Sequence, residues 1–214
     1  MTAVVGAGVR ARTLVLLAKE PVPGRVKTRL HSAFSPVEAA ALATAAIEDT
    51  VSAMAATRAE HRLVALDGRS GPWLPPGFGV VNQPGGDLGE RLAAAVEAGL
   101  DRGGPVLLVG MDTPQLSLDV SFQGADAVLG PTDDGGFWAV GLRERCPGAF
   151  DGVPMSTDHT GADQLARLRH LGLTVRLLPR LRDVDEPADA RAVALAHPGT
   201  RFAAAWRRLT AVDA

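Results

Sequence analysis

Apolar positions along the chain fall into two patterns, and together they give the order of its elements. Thr13–Ala18 (Thr-Leu-Val-Leu-Leu-Ala) and Pro105–Gly110 (Pro-Val-Leu-Leu-Val-Gly) are short unbroken apolar runs that end in loops. Strands buried on both faces read this way, because neither side of the pleat meets water. Ser35-Pro36 instead opens a long alanine-rich stretch to about Thr57, with Glu38 three residues after Ser35. A hydroxyl cap, proline at the first helical position and a reciprocal acid at the third predict a helix. Asp87 and Glu90 repeat that spacing and predict a second helix to about Asp101. Arg62–Leu66, Phe78–Asn82, Ala125–Gly130, Phe137–Gly141 and Leu173–Leu178 read as further strands, with a Gly/Pro-rich loop at 68–77. Thr157–Leu171 reads as a helix, and Pro187 to about Arg208 as one or two more.

Buried strands alternating with helices imply an α/β fold whose mostly parallel sheet is covered on both faces and binds ligands at the strands' carboxyl ends. With 214 residues, 46% of them hydrophobic, the chain is long enough for one self-sufficient core. We expect a frayed tail at 1–11 and a single domain over 12–210. Gly6-Ala-Gly8-Val-Arg-Ala11 has the letters of a dinucleotide fingerprint. Its context fails, since too few residues precede it for a strand and a strand rather than a helix follows.

A net charge of −2 and a pI near 6.2 supply no basic field for nucleic acid or anionic membrane. No apolar stretch approaches a membrane span, and the single cysteine, Cys146, has neither an internal partner nor metal-site neighbours. These features lead us to expect a cytoplasmic protein with no nucleic-acid or membrane partner.

Positive charge is nevertheless concentrated locally. Both lysines, Lys19 and Lys27, fall within Ala18–Leu30, whereas the other twenty basic residues are arginine. Lys19, Arg25, Lys27 and Arg29 lie within eleven positions around Pro-Val-Pro-Gly24, with Thr28 among them. Such a loop can clamp phosphates, with Gly24 letting the backbone approach and lysine offering a point charge. A solvated basic turn is the alternative. The G-x-x-x-x-G-K-[ST] spacing of a Walker loop is absent.

Asp112 ends the second buried run, where open α/β sheets bind ligands, and a buried carboxylate there calls for a cation. It could instead cap the turn before Pro114. In Asp183-Val-Asp185-Glu186-Pro187, alternate residues project to one side, so Asp183 and Asp185 could face one ion, although acids before a proline also start helices. Asp112 paired with Asp185 would suit magnesium, which takes one or two carboxylates and completes its shell with water and phosphate. Asp133-Asp134-Gly135-Gly136 is either a plain turn or one near a ligand, and Asp158 or His159 could reach an acceptor from the start of a helix.

Six ordered motifs carry a resemblance: residues 18–30, Gly-Asp-Leu-Gly-Glu-Arg (86–91), Gly-Met-Asp-Thr-Pro (110–114), Gly-Pro-Thr-Asp-Asp-Gly-Gly-Phe (130–137), Ser-Thr-Asp (156–158) and Asp-Val-Asp-Glu-Pro (183–187). Over about residues 12–195 the chain resembles the bacterial DUF2064 family of GT-A-type glycosyltransferases, within the nucleotide-diphospho-sugar transferase superfamily. More distantly it is similar to phospholactate guanylyltransferases and molybdenum-cofactor nucleotidyltransferases. The resemblance implies a single three-layer α/β/α sandwich with a nucleotide-binding amino half and an acceptor-binding carboxyl half. It places donor phosphates on Lys19, Gly24, Arg25, Lys27, Thr28 and Arg29, and the base or ribose beside Gly85, Gly86 and Asp87. Asp112 and Asp185 become the ligands of Mg2+ or Mn2+, and Lys27, Arg29 and Asp112 the catalytic group. Asp133, Asp134, Gly135, Gly136 and Asp158 border the acceptor. Glu186 stands where threonine is common, and His159-Thr160 follows no pattern of the family.

The activity implied is transfer from a nucleotide or sugar-nucleotide donor to a small-molecule acceptor, in the first place glycosyl transfer. Nucleotidyl transfer, with an acceptor phosphate attacking a nucleoside triphosphate, and a non-catalytic nucleotide-binding domain are the alternatives.

Overall fold

A computed structural model describes residues 10–211. Seven strands, β1 (Thr13–Lys19), β2 (His61–Asp67), β3 (Gly79–Asn82), β4 (Val106–Gly110), β5 (Ala127–Pro131), β6 (Phe137–Leu142) and β7 (Val175–Leu177), form one sheet in the order β3-β2-β1-β4-β6-β5-β7. The helices are α1 (Pro36–Ala56), α2 (Leu88–Leu100), α3 (Thr160–His170), α4 (Pro187–Ala196) and α5 (Arg201–Thr210). The sheet is mixed: β6 runs antiparallel to both β4 and β5, while β1, β2, β3 and β4 are mutually parallel and β7 is parallel to β5.

β1 shows why its run is apolar throughout. Leu14 and Leu16 pack with Ile47 and Val51 of α1 on one face, whereas Val15 packs with Leu92 and Val96 of α2 on the other. Both faces are covered, so strand alternation separates two apolar layers rather than core from water. α3 shares the α2 face through Leu168, and α4 and α5 back α1 through Val193 and Phe202. Gly99 of α2 lets helix and sheet approach, since a Cβ there would stand 2.5 Å from a Val106 methyl.

The predicted caps form as expected. Glu38 N–H donates to Ser35 Oγ (3.3 Å) and Ser35 N–H to Glu38 Oε2 (2.7 Å). Asp87 and Glu90 exchange the same pair at 2.9 Å each. The terminal region divides into α4 and α5, and a 3-10 turn over Thr28–Ser32, not anticipated from the sequence, ends the basic loop. Of the amino-terminal segment, the fingerprint-like residues 6–9 lie outside the described residues. Arg10 bridges to Ser121 and Ala11 is buried in the core.

Candidate functional site

β1, β2 and β4 run in the same direction and deliver Lys19, Asp67 and Gly110-Met111-Asp112 to the same edge of the sheet. A cleft of about 570 Å³ opens there, within the range of small-ligand sites. Lys19, Asp67, Gln83 and Arg91 line it from the amino half, and Asp134, Gly136, Thr157 and Asp158 from the carboxyl half. Asp112, Asp183, Asp185 and Arg29 lie between. A smaller adjoining hollow of about 270 Å³ adds Arg25, Lys27 and Thr28.

The centre of this arrangement is an ion-paired cluster. Lys27 adopts a left-handed backbone (φ 49°), uncommon for a residue with a side chain. Its side chain is only 6% exposed, and its ammonium lies 2.5 Å from Asp112 Oδ1 and 3.6 Å from Asp185 Oδ1 and donates to the Val184 carbonyl. Arg29 Nη1 holds Asp185 Oδ2 at 2.6 Å. The carboxylates are held in register by the backbone, because Val184 N–H donates to the Asp112 carbonyl at 2.8 Å. Val184 is thereby turned into the apolar cluster with α4 and α5, while Asp183 and Asp185 on either side face the cleft. The alternation expected of this loop is present.

Asp183 carries the strongest electrostatic strain. Its carboxyl is pushed up to about 6, first by burial and then by the neighbouring Asp134 and Asp185, with Lys27 opposing. Among the described residues no cluster of three His, Cys, Asp or Glu side chains is arranged to hold a metal. A divalent ion at Asp112 and Asp185 would therefore take two carboxylates and fill its shell from water and phosphate, as magnesium does. The faces that Asp112 and Asp185 leave exposed, 44% and 37% accessible, fit such an ion.

The other expected residues are distributed unevenly. Lys19 lines both spaces and pairs loosely with Asp67 (3.9 Å). Gly24 has φ 77° and open space around it, lining neither. Gly85, Gly86 and Asp87 lie outside the walls, where Gln83, Leu88 and Arg91 stand instead. Asp87 is engaged in its cap, and a Cβ on Gly86 would meet Glu90 Oε2 at 1.9 Å. Asp133 turns to Arg182 (3.3 Å), whereas Asp134 lines the cleft with Oδ1 fixed by Thr132 Oγ1 (2.5 Å) and Gly136 N–H (2.9 Å). Gly135, at φ 91°, is pressed against the Asp158 carbonyl, where a Cβ would come within 1.7 Å. His159 pairs locally with Asp163 at 2.6 Å.

Several residues of the walls were not singled out by sequence reasoning, Asp67, Gln83 and Thr113 among them. Gln83 donates both amide hydrogens, to Ala18 O (2.8 Å) and Ala65 O (2.9 Å), which fixes its carboxamide across the ends of β1 and β2. Asp67 ends β2 and Gln83 directly follows β3, so the strand-end rule that picked out Asp112 applies to them as well. Thr113 is 2% exposed and its Oγ1 has no partner, although it borders the cleft.

Comparison with known proteins adds a family to this geometry. The profile of DUF2064, described as "Uncharacterized protein conserved in bacteria", matches residues 39–157. The chain belongs to the DUF2064 family. A crystal structure of a "putative nucleotide-diphospho-sugar transferase" from Desulfovibrio desulfuricans G20 is 27% identical, with 93% of this chain and 95% of that one covered at a TM-score of 0.84. CMP:2-keto-3-deoxy-manno-octonic acid synthetase complexed with CTP is 12% identical over 87% of this chain and 98% of that one, with a TM-score of 0.52. A homologue of Mycobacterium tuberculosis Rv0371c from Mycobacterium sp. strain JC1 is 16% identical over 93% and 99%, with a TM-score of 0.50. No curated protein matches the sequence. This DUF2064 protein has the nucleotide-diphospho-sugar transferase-like fold, which nucleotidyltransferases share.

Proposed function

We propose that the protein is a metal-assisted transferase that takes a nucleoside-diphosphate sugar and passes the sugar to a small acceptor. The observation that carries this reading is the cluster of Lys27, Arg29, Asp112 and Asp185 at the floor of a cleft whose two halves can receive two substrates. Lys19, Arg25, Lys27, Thr28 and Arg29 would meet the donor diphosphate, and Asp67, Gln83 and Arg91 border the remainder of the nucleotide. Asp112 and Asp185 would hold Mg2+ or Mn2+, which when bound supplies positive charge toward the leaving diphosphate.

The acceptor would lie against Asp134, Gly136 and Asp158. With Oδ1 of Asp134 immobilised by Thr132 and Gly136, Oδ2 remains to take the acceptor's hydroxyl proton. The acceptor oxygen then bonds to the sugar carbon as that carbon's bond to the diphosphate oxygen breaks. Lys27 and Arg29 balance the charge that develops on the leaving group. Nucleotidyl transfer is the second reading, favoured by the density of cations at 19–29, which also suits a triphosphate.

A thermal-shift panel of nucleotides and sugar nucleotides, with and without Mg2+, tests the reading. We expect metal-dependent stabilisation by a uridine or guanosine compound that Asp112→Asn abolishes. Equal shifts in both proteins would refute the metal role. Product analysis separates the chemistries, since released nucleoside diphosphate indicates glycosyl transfer and released pyrophosphate indicates nucleotidyl transfer.

A further inference from the structure

We infer that Lys27 makes the metal site conditional on the nucleotide: without polyphosphate it occupies the carboxylate pair as a built-in counterion, and a divalent cation binds there strongly only together with the nucleotide. This rests on the metal-assisted reading above and concerns how that same site is controlled. Charge balance is the first argument. Asp112 and Asp185 carry two negative charges, while Lys27 and Arg29 bring two positive charges to the same oxygens. Those four side chains sum to zero, with Asp183 as a further carboxyl on the same cleft, so a free divalent ion approaching the pair meets two resident cations as well as the anions. Repulsion between unit charges a few ångströms apart is substantial in a partly desolvated site.

Geometry is the second argument. Lys27 is held on the protein side of the pair, almost fully buried, and its third contact is a backbone carbonyl, Val184 O. In the ligand-free chain the ammonium therefore rests against the carboxylates rather than in solvent. Phosphate oxygens entering the adjoining hollow, which Lys27 and Arg29 both line, offer these cations anions in exchange for the carboxylates. Each cation that turns toward phosphate returns a carboxylate oxygen to the metal, and the phosphates complete the metal's shell. Metal and nucleotide binding are thus positively coupled, and reciprocity requires each to tighten the other by the same factor.

Mn2+ binding followed by electron paramagnetic resonance tests this without any turnover. Wild type, Lys27→Met and Arg29→Met are titrated with Mn2+ alone, then with uridine or guanosine diphosphate, correcting for Mn2+ held by the nucleotide itself. We expect wild type to bind Mn2+ alone weakly and Lys27→Met to bind it at least tenfold tighter, with Asp112→Asn in that background removing the gain. Arg29→Met, at a side chain that is 68% exposed, should shift in the same direction by at least threefold. That variant carries the test alone if Lys27→Met does not fold. Equal Mn2+ affinity in wild type and the variants overturns the inference while leaving metal-assisted transfer standing. Absence of Mn2+ binding in every protein, with and without nucleotide, overturns both.

Discussion

Replacing Asp183 by asparagine should make the ligand-free protein more stable at neutral pH, and only there. Burial and the adjacent Asp134 and Asp185 raise this carboxyl from 3.8 to about 6 in the folded chain. A carboxyl whose folded value lies above its unfolded one favours folding while it is protonated and loses that advantage as pH rises toward the folded value. Stability is therefore not penalised below about pH 3.8, declines between there and about pH 6, and stays reduced above. For a fully buried group a displacement of this size would correspond to about 3 kcal/mol. Asp183 is only half-buried, and solvent screening reduces the figure to about 1 kcal/mol. Asparagine keeps the shape and an acceptor oxygen but never ionises. In a chain of this length that gain is a rise in Tm of about 3 °C. The assay is urea denaturation of both proteins with a chelator present, at pH 4 and pH 8. The variant should match wild type at the lower pH and exceed it by about 1 kcal/mol at the higher. A difference that does not change with pH, or a variant less stable at pH 8, would refute the electrostatic account.

Thr113→Val removes a buried hydroxyl that has no partner, so the free protein should gain about 1 kcal/mol in denaturant titrations, while KM for the donor rises if the hydroxyl awaits a ligand. Gln83→Glu should cost about 2 kcal/mol at pH 8, more than Gln83→Met, because a carboxylate would face the Ala18 and Ala65 carbonyls with no hydrogen to donate. Part of that loss should return at pH 5, read as the pH dependence of the urea midpoint. Gly135→Ala places a Cβ 1.7 Å from the Asp158 carbonyl at a positive φ, and should lower stability by about 2 kcal/mol or more by thermal denaturation.

Much of the fold was legible because its signals are local. Ser35-Pro36 with Glu38, and Asp87 with Glu90, specify their helix starts within four residues, and the structure realises both reciprocal caps. Apolar runs at β1 and β4 announce strands covered on both sides, and their placement at the centre of the sheet agrees. Strand pairing is not local, and there the sequence said less. Nothing in Phe137–Leu142 states that it inserts antiparallel between β4 and β5; the short turn at 132–136 permits a hairpin, and the sheet's order decides the other neighbour. The 3-10 turn after Lys27 escaped notice for a related reason, since a left-handed lysine is a conformation that propensity argues against.

The candidate site divides along the same line. Strand ends and alternation brought Lys19, Asp112, Asp183 and Asp185 to attention, and these do meet in one cleft. Glycine-rich letters were a weaker guide. Gly86 and Gly135 are required by close approaches to Glu90 and Asp158, so they are explained by packing within the loops themselves. What composition could not disclose is the partnership across the chain. Read alone, residues 19–29 are four cations awaiting phosphate. In the folded chain Lys27 and Arg29 already face Asp112 and Asp185, more than eighty residues away, which leaves Lys19 and Arg25 as the members of the loop without a carboxylate closer than 3.9 Å among the described residues. A polyphosphate would therefore meet two ready cations first and win the other two only by competition, and that competition is what would let such a site distinguish a metal-bearing nucleotide from free metal.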